Sequence, residues 1–400
     1  MRILRQFTSA CPFWKPHEHA PRGYFTYPPA RASSSAGREA PAAESGTRYR
    51  GAMTGILYPR PLAPGDLIAV PAPSSGVPPE LHDRLDAAVA ALEGRGFRAD
   101  VGELARRGGL TPAPAAERAA ELAAAFSHDE VRAVLPPWGG DLAIDLVERL
   151  DWAALAARPT WFVGWSDIST LLVPLTILTG VATIHGANLM DEPWELPEEF
   201  ARWTAIASAA PGSTIEQRSA PRRRSRPWGA WADEPLARDD AYQEPTRWRL
   251  LKGRRSDVAA ELRVTGRLIG GCLETVSLLA GSPAGDVRGF AERHAPEGLI
   301  VYLEVAHSDA VTAARLFYSV RLAGWFAHAN AVLIGRTSAE PGPSLTHDDA
   351  VRLALGDLGI PVIVDVDAGH QPPQMPLVNG ALAEVVLRGD GAAIRQSLVA

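Results

Sequence analysis

Lysine is almost missing from this sequence: of 40 basic residues only Lys15 and Lys252 are lysines, and the rest are arginines. With abundant alanine and proline, that bias reflects a GC-rich genome rather than a binding surface. The 46 acidic residues outweigh the bases, giving a net charge of -6. A strongly basic nucleic-acid binder is thereby excluded. Cysteine is equally scarce, since Cys11 and Cys272 are the only two. They stand far apart, which excludes a disulfide framework or a cysteine-based metal cluster and fits a reducing cytosol. No apolar run approaches the ~20 residues of a membrane span, so no membrane partner is expected.

What is present is a chain of 400 residues, more than a single core usually supports. Two folded domains are expected. Residues 1–57 are rich in Pro, Ser, Ala and Arg without helical or strand periodicity, and read as a disordered extension. They lack the apolar stretch of a secretory signal, an organellar transit peptide fits their composition alone, and Met53 is an alternative start. Residues 58–190 alternate strand patterns (66–72, 97–101, 131–135, 159–163, 181–185) with helical ones (81–93, 115–127, 142–150, 171–178). That alternation predicts an α/β domain with a parallel, Rossmann-like or flavodoxin-like sheet. Residues 191–260 lose periodicity and gather Trp194, Trp203, Trp228, Trp231 and Trp248, which reads as a linker with a Trp-rich insert. Its tryptophans can pack a core or line a pocket, and Arg222 to Arg224 reads as a solvated face. A second α/β domain, 261–400, is predicted from strands at 299–305, 331–334 and 362–366 and helices at 310–323 and 347–358.

Ligands of parallel sheets gather at the carboxyl ends of the strands. Ser166 lies at such an end, where an apolar strand gives way to an apolar helix in Gly164-Trp165-Ser166-Asp167-Ile168-Ser169-Thr170. That corner exposes a hydroxyl beside unpaired helix N-terminal amides, as a serine nucleophile and its oxyanion require. Ser166 or Asp167 can equally be a helix cap. Two further polar residues end apolar strands: Glu304, and His370 just beyond 362–366. A serine needs an adjacent base, and the imidazole needs a carboxylate to fix its tautomer, so the three supply the residue types of a hydrolytic triad. An α/β-hydrolase elbow is disfavoured, because Ile168 stands where that turn needs glycine. His370 can also be a turn histidine, and Glu304 can pair with Arg315 or Arg336. Arg336 can hold a substrate carboxylate or pair with Asp365 or Glu304. His185 and His307 read as structural, though both can line a groove, and Cys272 reads as a small buried residue. The pair Gly270-Gly271 lacks the lysine and spacing of a nucleotide loop.

Taken together, these motifs resemble the LD-carboxypeptidase family of serine peptidases, which includes the microcin C self-immunity peptidases. Gly164 to Thr170 is similar to the family's nucleophile turn, and Trp138-Gly139-Gly140-Asp141 to its upstream glycine pair. Ile184-His185-Gly186, Gly266 to Leu273, Val301 to Val305 and Gly369-His370 are similar to its later motifs. The resemblance implies a nucleophile domain followed by a domain carrying glutamate and histidine, with the site in the groove between them. It implies Ser166 as nucleophile, His370 as general base and acid, Glu304 as its orienter, and the amides of Gly140 and Asp167 as the oxyanion hole. It further implies no metal or organic cofactor, a cytoplasmic homodimer, and a small peptide or aminoacyl-nucleotide substrate. Three departures stand out: Cys272 in place of asparagine, Val305 in place of aspartate, and Pro136-Pro137-Trp138 in place of the arginine-bearing turn of murein-trimming members. The last departure and the Trp-rich insert lean toward the microcin-immunity branch. The alternative is a groove that binds a peptide or nucleotide without cleaving it.

Overall fold

The computed structural model describes residues 55–224, 242–252, 261–389 and 391–400. Nearly all of the extension at 1–57 lies outside the described residues, as do Cys11, Trp228 and Trp231. The first sheet opens with Leu67–Val70 (β1), Arg98–Val101 (β2), Val131–Val134 (β3), Trp161–Gly164 (β4) and Thr183–His185 (β5). These five strands are parallel and lie in the order 2-1-3-4-5, the flavodoxin-like arrangement. The insert supplies Thr214–Arg218 (β6), Arg222–Arg224 (β7), Tyr242–Pro245 (β8) and Arg249–Lys252 (β9). The remainder adds Leu262–Cys272 (β10), Leu299–Glu304 (β11), Ala329–Gly335 (β12), Val362–Val366 (β13), Leu377–Asn379 (β14), Leu382–Leu387 (β15) and Ala392–Ser397 (β16). Eight of them form the second sheet, β6-β16-β15-β10-β11-β12-β13-β9, while β7 and β8 pair as a separate ribbon.

Two features differ from the division into successive domains. β14, late in the chain, pairs antiparallel with β5 and closes the edge of the first sheet. The stretch at 191–260 is more than a linker, because β6 and β9 form the two edges of the second sheet. Both assignments depend on long-range pairing, which leaves no local mark in the sequence. A third difference is local. The helix expected at 142–150 is only a 3-10 turn, Ala143–Leu146, followed later by the short helix Trp152–Ala156. Its backbone is committed elsewhere: Ala143 N donates to Asp167 Oδ2 (2.8 Å), and Leu142 O accepts from buried Arg118 (3.1 Å). Those tertiary bonds outcompete the helical ladder.

The helix after Ser166, Ser169–Thr179, is buried along every face from Ser169 to Ile177. A helix apolar all round belongs inside a protein, here between the two sheets. Gly180, with φ 73°, ends it in the left-handed cap geometry that favours glycine. β10 approaches this helix so closely that a Cβ on Gly271 would lie 2.7 Å from Ser169 Oγ. Cys272 N donates to that same hydroxyl at 3.1 Å. Gly271 therefore serves close packing between the halves, whereas a Cβ on Gly270 would strike Tyr302 O within the second sheet.

Candidate active site

Four loops at strand ends converge on Ser166. After β4 the backbone turns sharply, and Ser166 takes φ 58°, a left-handed conformation that costs of order 1–3 kcal/mol in a non-glycine residue. Packing holds it there. A Cβ on Gly164 would lie 2.8 Å from both Ile168 Cγ2 and Asn188 Oδ1, so only glycine allows the turn to fold back. The Asp167 side chain anchors the other side, accepting from Ser74 Oγ (2.5 Å), Ala143 N (2.8 Å) and Thr170 Oγ1 (3.4 Å). Its burial pushes the carboxyl above the usual range, against the pull of those donors. The Asp167 carboxylate thus ties the loop after β1 to the corner at Ser166.

The loop after β3 lies directly opposite. A Cβ on Gly139 would stand 2.9 Å from Ser166 Cβ and 3.2 Å from Asp167 N, so glycine keeps the approach to that amide open. Gly140 has φ 149° and no room for a side chain against Ser74 and Ser75. Gly139 O accepts from Ser75 N at 3.2 Å, which holds the glycine turn in place.

From the second sheet come the imidazole and the carboxylate. His370 Nε2 lies 2.9 Å from Ser166 Oγ, and His370 Nδ1 lies 2.8 Å from Glu304 Oε2. Glu304 is fully buried at the end of β11, and no described group bonds its Oε1. Gly369, with φ 105°, passes within a Cβ distance of 2.6 Å of Glu304 Oε2, which explains the glycine before His370. Burial disfavours the His370 imidazolium, but the charge and hydrogen bond of Glu304, with Glu274 and Asp191 farther off, outweigh it and hold the pKa above the ordinary histidine value. Cys272 is buried beside this pair, and burial with the nearby Glu304 and Glu274 charges pushes its thiol well up. Cys272, Glu304 and His370 offer ligand atoms within 4.8 Å of one another. Glu304 and His370 are already bonded to each other at 2.8 Å, closer than the ~3.3 Å between two ligands of a tetrahedral zinc with ~2.0 Å bonds.

Several residues around the site had no reading, or a different one, in the sequence. Arg336 pairs with neither Asp365 nor Glu304. It is buried against Asp367, and its other arm donates to Gln371 O (3.2 Å) and Pro373 O (2.7 Å), on either side of the segment after His370. Asp367 also accepts from Trp248 Nε1 (2.7 Å) and Ala220 N (3.0 Å), so the insert is stitched to the histidine loop. Arg224 is no solvated face: it is buried, 5.6 Å from the ring of Trp194. Trp194, Trp203 and Trp248 are all buried. His185 is buried with its pKa lowered to about 4 by burial, and is neutral, as a structural histidine would be. His307 is exposed. Asp191, unread in the sequence, accepts from Trp165 Nε1 at 2.9 Å. An isolated aspartate in an aperiodic stretch carries no signal that would have found it.

Comparison with known proteins is consistent with this geometry. Residues 68–186 match the model of the LD-carboxypeptidase N-terminal domain, and residues 265–385 match that of the C-terminal domain. The chain belongs to the LD-carboxypeptidase family. A Vibrio cholerae relative with a provisional carboxypeptidase name is 26% identical over 336 residues, 80% of this chain and 92% of its own. The microcin C7 self-immunity protein of Escherichia coli is 25% identical over 340 residues, 81% of this chain and 91% of its own. A solved structure of that immunity protein without ligand superposes with a TM-score of 0.71 at 22% identity, covering 86% of this chain and 100% of the other. The muramoyltetrapeptide carboxypeptidase of Oxalobacter formigenes has a TM-score of 0.60 at 19% identity, covering 82% and 98%. This LD-carboxypeptidase family member therefore shares its two-sheet α/β fold with both kinds of protein. Among the described residues no helix is long and apolar enough to cross a membrane.

Proposed function

We propose that this protein is a serine hydrolase that cleaves an amide bond through an acyl-enzyme on Ser166. One observation carries the reading: a single imidazole bridges the Ser166 hydroxyl at 2.9 Å and the buried Glu304 carboxylate at 2.8 Å. Ser166 Oγ attacks the carbonyl carbon while its proton passes to His370 Nε2. Glu304 fixes the Nδ1–H tautomer and stabilises the imidazolium. The oxyanion develops toward the amides of Asp167 and Gly140, where Gly139 leaves space. Collapse breaks the C–N bond, and His370 returns the proton to the leaving nitrogen. A water then loses a proton to His370 and attacks the ester, and His370 returns that proton to Ser166 Oγ as the acid leaves. The strained φ of Ser166 fits a nucleophile held in place by its surroundings.

The substrate classes we propose are those named for the chain's structural neighbours, a muramoyltetrapeptide carboxypeptidase and a microcin self-immunity protein solved with glutamyl sulfamoyl guanosine. Candidates are a murein L,D-peptide and an aminoacyl nucleotide. The aromatic insert favours the second, and a cytoplasmic homodimer completes the proposal. The test is mass spectrometry of products from an L,D-tetrapeptide and an aminoacyl sulfamoyl adenosine, each with Ser166→Ala as control. Release of terminal D-alanine assigns cell-wall peptide trimming, and cleavage of the adenylate alone assigns detoxification. Turnover retained by Ser166→Ala would overturn the mechanism.

A further inference from the structure

Beside the histidine loop runs a groove in which, among the described residues, every lining arginine but one is paired with a carboxylate. It opens at the carboxyl ends of β12 and β13 and is lined by Arg223, Arg247, Arg249, Arg336, Asp365 and Gln371, with two threonines and a proline. Arg336 is committed to Asp367, Arg249 to Asp365 and Asp348, and Arg223 to Glu244. Arg247 is exposed and has no carboxylate partner among the described residues. Its placement is not accidental drift of a loose strand. Its neighbour Trp248 is buried and bonded to Asp367, so the backbone beside Arg247 is pinned where Arg247 lines the groove.

The groove also borders the loop that carries His370. Gln371 directly follows His370, and consecutive Cα atoms stand ~3.8 Å apart, so the groove wall begins one residue from the imidazole that bonds Ser166. Arg336 holds Gln371 O, and Arg224 N donates to Pro372 O at 2.9 Å, so that wall is rigid on both sides. The turn facing Ser166, Pro136 to Asp141, contains no cation. A hydrolase that acts at the end of a small anionic substrate needs a cation to distinguish that end, and a guanidinium fork suits carboxylate and phosphate oxygens.

We propose that Arg247 and this groove form the subsite for an anionic group of the substrate, a terminal carboxylate or a phosphate, placed beside the bond that Ser166 attacks. The proposal rests on the hydrolase reading but is separable from it, because binding can be measured without turnover. Isothermal titration would compare Ser166→Ala with the Ser166→Ala/Arg247→Ala double variant in the full chain. One arm uses an L,D-tetrapeptide and its C-terminal amide; the other uses an aminoacyl phosphoramidate of adenosine and its uncharged methyl ester. Losing one charge-assisted contact should weaken the charged ligand of one arm about tenfold and its neutral counterpart less than twofold. The responding arm identifies the anion, and Arg247→Lys should recover part of the loss. Equal weakening of charged and neutral ligands, no weakening in either arm, or no binding by Ser166→Ala overturns the subsite. Turnover by the wild type with Arg247-independent binding overturns the subsite alone. Arg247-dependent binding without wild-type turnover overturns the hydrolase reading and keeps the subsite.

Discussion

The indole of Trp165 lies against the imidazole of His370, with ring centroids 4.4 Å apart and planes tilted by 42°. The residue before Ser166 therefore braces the ring that bonds Ser166. Trp165 is itself held by Asp191, whose Oδ2 accepts its Nε1–H at 2.9 Å and the Asn188 amide at 3.0 Å. Asn188 in turn accepts from Trp165 N at 3.2 Å. A buried carboxylate thus stands two contacts behind the site.

Burial pushes that Asp191 carboxyl up to about 7, against the pull of the Trp165 and Asn188 donors. Because the folded pKa exceeds the unfolded value of ~3.9, the native state keeps the proton longer, and stability falls as pH rises between about 4 and 7. Asp191→Asn keeps an acceptor for Trp165 and removes the charge. It should gain thermal stability over the wild type at pH 8, and the gain should vanish near pH 4. An unchanging difference in Tm across that range would contradict the assignment.

In the proposed mechanism His370 must be neutral to take the serine proton, and Glu304 holds its pKa above the ordinary value. Activity should therefore rise with pH through a pKa above ~6.5. The same raised pKa contributes stability that is present below ~6.5 and lost as pH rises through the folded value. Glu304→Gln removes the charge, so the acidic limb of kcat/KM should move to lower pH while kcat falls by roughly 10³–10⁴. A limb that stays in place would separate His370 from the rate.

Ser166→Ala should lower kcat by at least about 10³-fold, leaving Tm within a few degrees of the wild type, because the hydroxyl bonds only the His370 ring among the described residues. Differential scanning calorimetry run beside the kinetics checks both halves of that statement.

Gly369→Ala would force a Cβ to 2.6 Å from Glu304 Oε2 at a φ of 105°. A loss of about 2–4 kcal/mol in urea unfolding is expected, with activity falling as Glu304 and His370 separate. The atoms nearest a Cβ on Gly139 belong to Ser166 and Asp167, so Gly139→Ala should cost activity more than stability.

Arg336→Ala leaves Asp367 buried without its cation, a situation that costs about 3–5 kcal/mol. Arg336→Lys should recover little, since an ammonium cannot span Asp367, Gln371 O and Pro373 O in one plane. Chemical denaturation of the three proteins distinguishes this buried clamp from a surface pair, whose loss would cost under about 1 kcal/mol.

By itself the sequence determined whatever depends on neighbours along the chain. The alternation of strands and helices through His185, the corner at Ser166, the glycines at 139, 140 and 369, and polar groups at the ends of β11 and β13 all follow from periodicity and turn chemistry. Only the tertiary structure decided which of these meet. Ser166 and His370 are 204 residues apart, and nothing in either segment specifies the other. β14 crossing to the first sheet, the insert strands edging the second, Arg336 choosing Asp367, and Trp165 leaning on His370 are likewise outcomes of packing. Local propensity is set by a residue's own backbone and side chain, whereas a buried polar group takes whichever partner the packed core brings within reach.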